Sequence, residues 1–587
     1  MQYPASVATT WETSFEQLSG DGQGLLNVLC WLAPDPIPLT MINKLSTAED
    51  ESPIDVETGL AELEDYSLLR WVGTAQEFVE VHRLVEEITR FRLPDATRKG
   101  WLRRALRMVE AFSEGDPEDV RSWKDVYTPG RPHLASIVRE ADRAGLTDPT
   151  SRLMNQFAIY LLARSEWPEA ESLMRRVLAI KEASFGYQHP HVATGLNNLA
   201  HLLQETNRLA EAEPLMRRAL AINETCFGDQ HPQVATGLNN LAQLLKKTNR
   251  LSEAEPLMRR ALATDESSYG EQHPDVATDL NNLADLLQET NRLAEAEPLM
   301  RRALAIKETC FGDQHPEVAI SLNGLAHLLE ATNRLAEAER LMRRALAIRE
   351  ASLGNQHPTV AISLNGLAML LKQTNRFSEA EPLLRRALAI DEFSFGGQHP
   401  RVALGLNNLA RLLQDMNCLA EAEPLFSRAL AIDEASYGEH HSAVATDLNN
   451  LARLLQETNR HSQAAQLLRR ALAILTQVYG PKHPTVAVGM INLGESLRCL
   501  DFLDEAEPLL RGACEIALVA FGPDHPHTGI FGYKLAMLEH RRGNAAEAER
   551  LLRDALRVLR SSYGDDSHPK IQETLRRMRE IGMTPLA

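Results

Sequence analysis

Ten histidines recur along the chain at a fixed spacing, a pattern that invites a metal-binding or acid–base reading. They are His189, His231, His273, His315, His357, His399, His441, His483, His525 and, one residue late, His568. The interval is 42 residues, and all but His441 precede a proline. Packed helices stand on the order of 10 Å apart, whereas metal–ligand bonds are about 2 Å. One histidine per repeat cannot converge on an ion at that separation, so no metal site is expected. The expected role is a helix-start residue, because the proline that follows is tolerated in a first turn.

A second recurrent set is a pair of asparagines: Asn197/Asn198, Asn239/Asn240, Asn281/Asn282, Asn407/Asn408 and Asn449/Asn450. Asparagine is a poor helix former because its amide competes for backbone hydrogen bonds. The first member is present in seven repeats (Asn197, Asn239, Asn281, Asn323, Asn365, Asn407, Asn449) and then becomes Ile491 and Tyr533. Four residues on, the chain varies freely: His201, Gln243, Asp285, His327, Met369, Arg411, Arg453, Glu495, Met537. Asn197, His201 and Gln204, at i, i+4 and i+7, share one helix face. Two roles are open for the asparagines. They tie one helix to the next, or they grip the backbone of an extended peptide, since an amide both donates and accepts. Gly324 and Gly366 replace the second asparagine in two central repeats. Glycine there costs up to about 1 kcal/mol; it marks either drift or a place where something bulky approaches.

Catalytic motifs are missing. GxxxxGK[ST], GxSxG and HExxH do not occur, so no phosphate loop, nucleophile elbow or zinc-protease helix is expected. We expect a chain that is not an enzyme and carries no cofactor.

The elements that hold these residues are helices. A chain of 587 residues exceeds one ordinary core. Aromatics are 5% of it, and Ala, Leu, Glu and Arg abound, a helical composition. Each 42-residue unit carries two amphipathic patterns. Leu196, Leu199, Ala200 and Leu203 line one helix; Ala212, Met216, Ala219 and Leu220 line the second. Between them, Asn207, Asn249, Asn291, Asn333, Asn375, Asn417 and Asn459 give way to Asp501 and Gly543, an exchange that identifies a left-handed helix end. Pro214 predicts an irregular start to each second helix. The fold class is therefore all-α, a solenoid of helical hairpins.

Net charge of −18 argues against a nucleic-acid partner. No run of eighteen apolar residues predicts a membrane span, and MQYPASVATT does not read as a signal peptide. The six cysteines form no CxxC pair, and Cys226 and Cys310, two periods apart, are read as small core residues. A reduced, cytoplasmic setting is expected.

The spacing of Leu196, Leu199, Ala200, Leu203, Ala212, Met216 and Ala219 resembles the tetratricopeptide repeat. The period and the phrase NRLAEAEPLMRRALAI (207–222) are similar to its kinesin-light-chain type. The resemblance covers about residues 150–581: a degenerate hairpin at 150–185, nine units from His189 and a capping helix at about 569–581. It implies a right-handed superhelix whose first helices line a concave groove that binds a peptide or protein. The seven asparagines, with His201, Gln243, Asp285, His327, Met369, Arg411 and Arg453, would then line the groove.

Residues 1–95 lack the repeat. Helical patterns at Trp11–Leu18, Leu25–Leu32, from Leu39 and at Val56–Asp65 precede two short apolar runs, Leu68–Val72 and Phe78–Val81, joined by GTAQE. Helices followed by a hairpin suggest a winged-helix-like domain. TTWETSFEQLS (9–19), YSLLRW (66–71) and VHRLVEEITR (81–90) resemble the winged-helix segment of NB-ARC (STAND) signal-transduction ATPases. His82 matches that family's nucleotide-sensing histidine, although Arg83 replaces the acid that follows it. Residues 96–149 look like the helical connector of such proteins. A winged helix can bind DNA, but Glu57, Glu62, Glu64 and Asp65 on the candidate recognition helix argue against it. The expected function is a non-enzymatic protein-interaction sensor. Its alternatives are a free-standing kinesin-light-chain-like adaptor and a switch whose NTPase is encoded separately.

Overall fold

The computed structural model describes residues 13–47, 53–73, 76–564, 566 and 568–580. The chain divides into two compact units, Met1–Leu202 and Leu203–Ala587.

The first unit opens with a helix at Gly20–Leu29, whose cap, the Ser19 hydroxyl, accepts from the Asp21 and Gly22 amides. That cap places the helix five residues earlier than its apolar run suggests. Of the segment Trp11–Leu18, residues 13–17 are helical, and Trp11 and Glu12 lie outside the described residues. Strand β1 (Ile37–Pro38), a turn of helix at Leu39–Ile42, a helix at Val56–Asp65, and strands β2 (Leu69–Val72) and β3 (Phe78–Val81) follow. The sheet is antiparallel with order β1-β3-β2, pairing Ile37 and Trp71 on either side of Val79. Strand β1 is absent from the sequence reading because Pro34, Pro36 and Pro38 look like punctuation. Proline is acceptable on an edge strand such as this one. Thr74 and Ala75, in the expected turn, lie outside the described residues. Leu25, Leu29, Ile37, Met41 and Val79 are fully buried and form the core. Long helices at Arg83–Arg92, Asp95–Phe112 and Thr128–Arg143 lead to the hairpin Thr150–Ala163/Trp167–Phe185.

Repeat 1 joins Pro190–Glu205 to Leu209–Phe227. Repeats 2 to 9 follow with first helices at Pro232–Lys247, Pro274–Glu289, Pro316–Ala331, Pro358–Gln373, Pro400–Asp415, Ser442–Glu457, Pro484–Cys499 and Pro526–Arg541. Their second helices end at Tyr269, Phe311, Leu353, Phe395, Tyr437, Tyr479, Phe521 and Tyr563. A last helix, Pro569–Glu580, closes the array; position 581 lies outside the described residues. Alanines 242, 254 and 261 are fully buried. Having no side chain beyond Cβ, they let backbones approach closely.

Each repeat turns at a left-handed residue. Asn207, Asn249, Asn291, Asn333, Asn375, Asn417, Asn459 and Asp501 have φ between 57° and 65°, and Gly543 has 85°. Asparagine and aspartate tolerate this region better than most side chains because they bond locally to the backbone.

Two expectations need correction. Pro214 lies inside an unbroken helix. The first turn is bifurcated, with the Arg208 carbonyl accepting from Glu211 and Ala212 at 3.1 Å each. Repeat 4 has Arg340 in place of proline, yet Arg334 accepts from Glu337 and Ala338 in the same way. The bifurcation thus belongs to the tight helix–helix turn and not to the proline. Cys226 and Cys310 are exposed, not core. They sit one residue before the helix-ending aromatic, and the Cys310 thiol donates to the Gln272 carbonyl in the loop of the preceding repeat at 3.0 Å.

Candidate functional site

First helices of consecutive repeats in the second unit pack directly on one another, whereas each second helix packs on the first helix that follows it. Consecutive second helices are bridged instead by the long side chains of ion pairs: Arg260–Glu224 at 2.9 Å, Arg302–Glu266 at 2.8 Å, Arg344–Glu308 at 2.7 Å and Arg386–Glu350 at 2.7 Å. The closer backbone approach of the first helices puts them on the inner side of the stack in this unit.

The asparagines provide part of the contacts between first helices. The Asn239 amide donates to Asp279 of the next repeat. Asn281 donates to Ser321 at 3.2 Å, and Asn407 to Asp447 at 2.6 Å. In the other direction, the second asparagine of a pair donates to the first asparagine of the preceding repeat. Asn408 reaches Asn365, Asn450 reaches Asn407 and Asn492 reaches Asn449, each at 3.4 Å. In the first unit Asn198 donates to Asn155 at 2.9 Å, while Asn197 is half-buried and His201 exposed.

The ladder has a gap at its centre. Asn323 has no hydrogen-bond partner among the described residues. Gly366 stands where its donor would be, and its acceptor position, Ser363, takes the Arg349 guanidinium at 2.7 Å. A Cβ at Gly324 would meet nothing within 4 Å, and one at Gly366 only the tip of Met342 at 4.0 Å. Packing does not require glycine at either position; both open the inner face.

Around this gap the face is apolar. Ile320, Ile362 and Leu404, three residues before Asn323, Asn365 and Asn407, are 49%, 45% and 59% exposed. Half-buried Met369 adjoins them. Toward repeats 6 and 7 the face is basic. Arg411 has no ion-pair partner among the described residues, and Arg453 bonds only Gln414, at 2.9 Å. Both Nε atoms are buried without an acceptor. Burial, then repulsion from Arg453, pushes the Arg411 guanidinium pKa down. Lys372 is engaged by Asp415 at 2.8 Å. Toward repeats 3 and 4 the face is acidic. Asp285 is exposed, and exposed His327 lies 3.4 Å from Glu330, whose carboxylate raises the imidazole pKa. Gln243 is half-buried.

The recurrent histidines cap helices. In repeats 2 to 9 the Nδ1 of the histidine accepts the amide two residues on, as in His231 to Gln233 at 3.2 Å. The sequence reading missed what holds every one of these rings except His357, whose preceding helix ends in Leu353: the aromatic that ends the preceding helix. Phe227 stacks on His231 at 4.5 Å, Tyr269 on His273 at 4.1 Å and Phe311 on His315 at 4.7 Å. The signal was present as an aromatic four residues before the histidine. Among the described residues no group of three or more His, Cys, Asp and Glu is placed to hold a metal ion. His82 is also a cap: its Nδ1 accepts the Leu84 amide at 3.2 Å. No described helix is long and apolar enough to cross a membrane.

The Tetratricopeptide repeat pattern matches residues 149–225, 192–267, 233–309, 293–351, 317–392, 401–477 and 485–561. The chain belongs to the tetratricopeptide repeat family. Residues 13–98 match a Domain of unknown function (DUF7779), which is neither NB-ARC nor winged-helix by description. No curated protein matches the chain. Among solved structures, it is similar to the nearly identical TPR-like repeats of a kinesin light chain from Podosopora anserina, at 24% identity over 36% of this chain and 99% of that one, TM-score 0.31. It is also similar to BtubC (BKLC) from P. vanneervenii, at 24% identity over 40% and 91%, TM-score 0.32. The apo form of RapI matches at 16% identity over 49% and 99%, TM-score 0.38. Tetratricopeptide repeats are in general interaction scaffolds without catalysis, and these hairpins present such a scaffold's surface.

Proposed function

We propose that this chain is a non-enzymatic scaffold that binds an extended peptide segment along the first helices of repeats 3 to 7. The observation that carries the reading is the unpartnered Asn323 amide beside an exposed apolar row and two half-buried arginines that form no ion pair among the described residues. The segment would place apolar side chains on Ile320, Ile362 and Leu404, its backbone on Asn323, and a carboxylate on Arg411 and Arg453. Arginine pairs suit carboxylates because the guanidinium forks donate in a plane. Selection from a displayed random-peptide library on the full chain tests this. Enriched peptides should combine apolar and acidic residues, and Arg411→Ala with Arg453→Ala should lose at least tenfold in affinity for them. Failure to enrich any sequence, or affinities untouched by the double variant, would refute the site.

The finer reading is the sensor half of a STAND-type signalling ATPase. We propose for it the division 1–95, 96–149 and 150–587. The order helix, β1, helix, helix, β2, β3 in a β1-β3-β2 sheet supports a winged-helix-like domain. His82 supports it less, since its Nδ1 is occupied as a cap. The alternatives are a kinesin-light-chain-like adaptor and a switch whose NTPase is encoded separately. Recovery of a P-loop ATPase on residues 1–149 in an ATP-dependent manner would favour the switch. The six free cysteines accord with a reducing, cytoplasmic setting.

A further inference from the structure

Between the second helices of repeats 2 to 6 and the first helices that follow them, one buried position on each side meets across the joint, and most of these are polar. Going from repeats 2|3 to 6|7, the joints read Asp265/Asp279, Lys307/Ser321, Arg349/Ser363, Asp391/Gly405 and Asp433/Asp447. The two middle joints that pair a cation with serine are satisfied: Lys307 meets Glu317, and Arg349 meets Ser363 at 2.7 Å and the Thr359 carbonyl at 3.2 Å. The outermost two oppose acid to acid. Asp265 and Asp279 are 5% and 2% exposed, and Asp433 and Asp447 are 6% and 2%. Each acid pair occupies the two positions at which Arg349 and Ser363 touch in their own joint, so the carboxyls face one another across it. Each partner has one buried oxygen with no donor: Asp265 Oδ1, Asp279 Oδ2, Asp433 Oδ1 and Asp447 Oδ2. Asn239 and Asn407 donate to the other side of Asp279 and Asp447.

Two buried carboxylates facing one another repel and cannot both ionise cheaply, and one proton between them supplies the donor that both orphan oxygens lack. We propose that Asp265–Asp279 and Asp433–Asp447 each hold one shared proton at neutral pH. They form two proton-linked joints that bracket repeats 3 to 6 and loosen when the proton leaves.

The surroundings favour retention of that proton. Asp275 raises the pKa of Asp265 and Asp279, and His273 lowers that of Asp265. Tyr269 feels Asp265. At the second joint Glu434 raises Asp447, Asn407 lowers it, and Tyr437 feels Asp433. Burial is the leading cause throughout; it pushes Asp279 up to about 7 and raises both members of the second pair. A carboxyl with a folded pKa above its unfolded one binds extra protons when folded. Stability is then fully present below the unfolded pKa and falls as pH climbs through the folded one. The two joints therefore weaken as pH rises from 6.5 to 8.5. Above pH 6.5 histidines held neutral by burial no longer contribute. The lone Asp391, pushed up to about 7, adds in the same direction.

Hydrogen exchange on the full chain, corrected for intrinsic rates, tests the proposal at pH 6.5 and 8.5. Amides around 263–268, 277–283, 431–436 and 445–451 should lose on the order of tenfold in protection. Those around 305–310 and 319–325, at a serine joint, should not. In Asp279→Asn with Asp447→Asn, an amide replaces the shared proton as donor to the partner carboxylate, and the pH effect at both joints should vanish. Asp265→Asn with Asp433→Asn is the equivalent substitution from the other side, should the first pair fold poorly. Protection independent of pH in the unaltered chain, or an unchanged pH effect in either folded double variant, would overturn the proposal.

Discussion

One asparagine position serves two ends in this chain, and the difference lies in what surrounds each copy. Asn407 donates to Asp447 and accepts from Asn450. Truncation to alanine strands both partners at a buried joint. Asn407→Ala should cost about 1–3 kcal/mol, read as a lower melting temperature with ligand contacts elsewhere intact. Asn323, whose amide has no partner among the described residues, should behave oppositely. Asn323→Ala removes nothing structural and gains several tenths of a kcal/mol in helix propensity, so melting should hold or rise while peptide affinity falls. A drop in melting temperature for Asn323→Ala would place it in the ladder and remove the grip. The sequence showed that the asparagine recurs and that its neighbour varies. It could not show which copies are satisfied, because that depends on residues 40 and 43 positions away. The decisive substitutions are glycine at Gly366 and the capture of Ser363 by Arg349. The acid pairs were hidden for the same reason: Asp265 and Asp279 sit in separate helical patterns and meet only on packing.

At the scale of the helix, local rules carried most of the information. The left-handed asparagines were legible from their exchange with glycine. Helix starts were legible from His-Pro. Strand β1 was not, because Ile37 and Pro38, two residues of which one is a proline, have no periodicity; they become a strand only by pairing with Val79 and Phe78. The cysteines misled because small apolar residues are usually buried, whereas positions 226 and 310 lie at the exposed ends of their helices. The helix-interior prolines offer a clean test, since repeat 4 replaces its own with Arg340 and keeps an identical turn. Pro298 withholds a donor from the Ala294 carbonyl and contributes no cap. Pro298→Arg should therefore raise stability by about 1–3 kcal/mol, measured by denaturant titration. Loss of stability would mean that the proline ring itself packs usefully against repeat 3.

At the scale of the whole second unit, the array contacts itself at a distance that no repeat-by-repeat reading predicts. The His441 imidazole Nε2 lies 3.1 Å from the Glu205 carbonyl, 236 residues earlier. Residues 479–483 and Thr248–Asn249 line one cleft a repeat further on. Solenoids are ordinarily coupled only between neighbours, and this contact ties repeat 1 to the junction of repeats 6 and 7. His441 is also a cap, its Nδ1 accepting the Ala443 amide at 3.2 Å, so alanine would confound the two roles. Asparagine separates them: it is among the best helix caps but is too short to reach Glu205. Burial lowers the His441 pKa, and the neutral ring donates through Nε2 while Nδ1 accepts. The contact should therefore be intact above the ordinary histidine pKa and weaken as pH falls through the depressed one. His441→Asn should leave protection around 443–448 unchanged. Amides of residues 203–207, more than 230 positions away, should exchange several-fold faster. Unaltered exchange at 203–207 would show that the contact contributes nothing to the coupling, and the repeats would then behave as a nearest-neighbour chain in which His441 only starts its own helix.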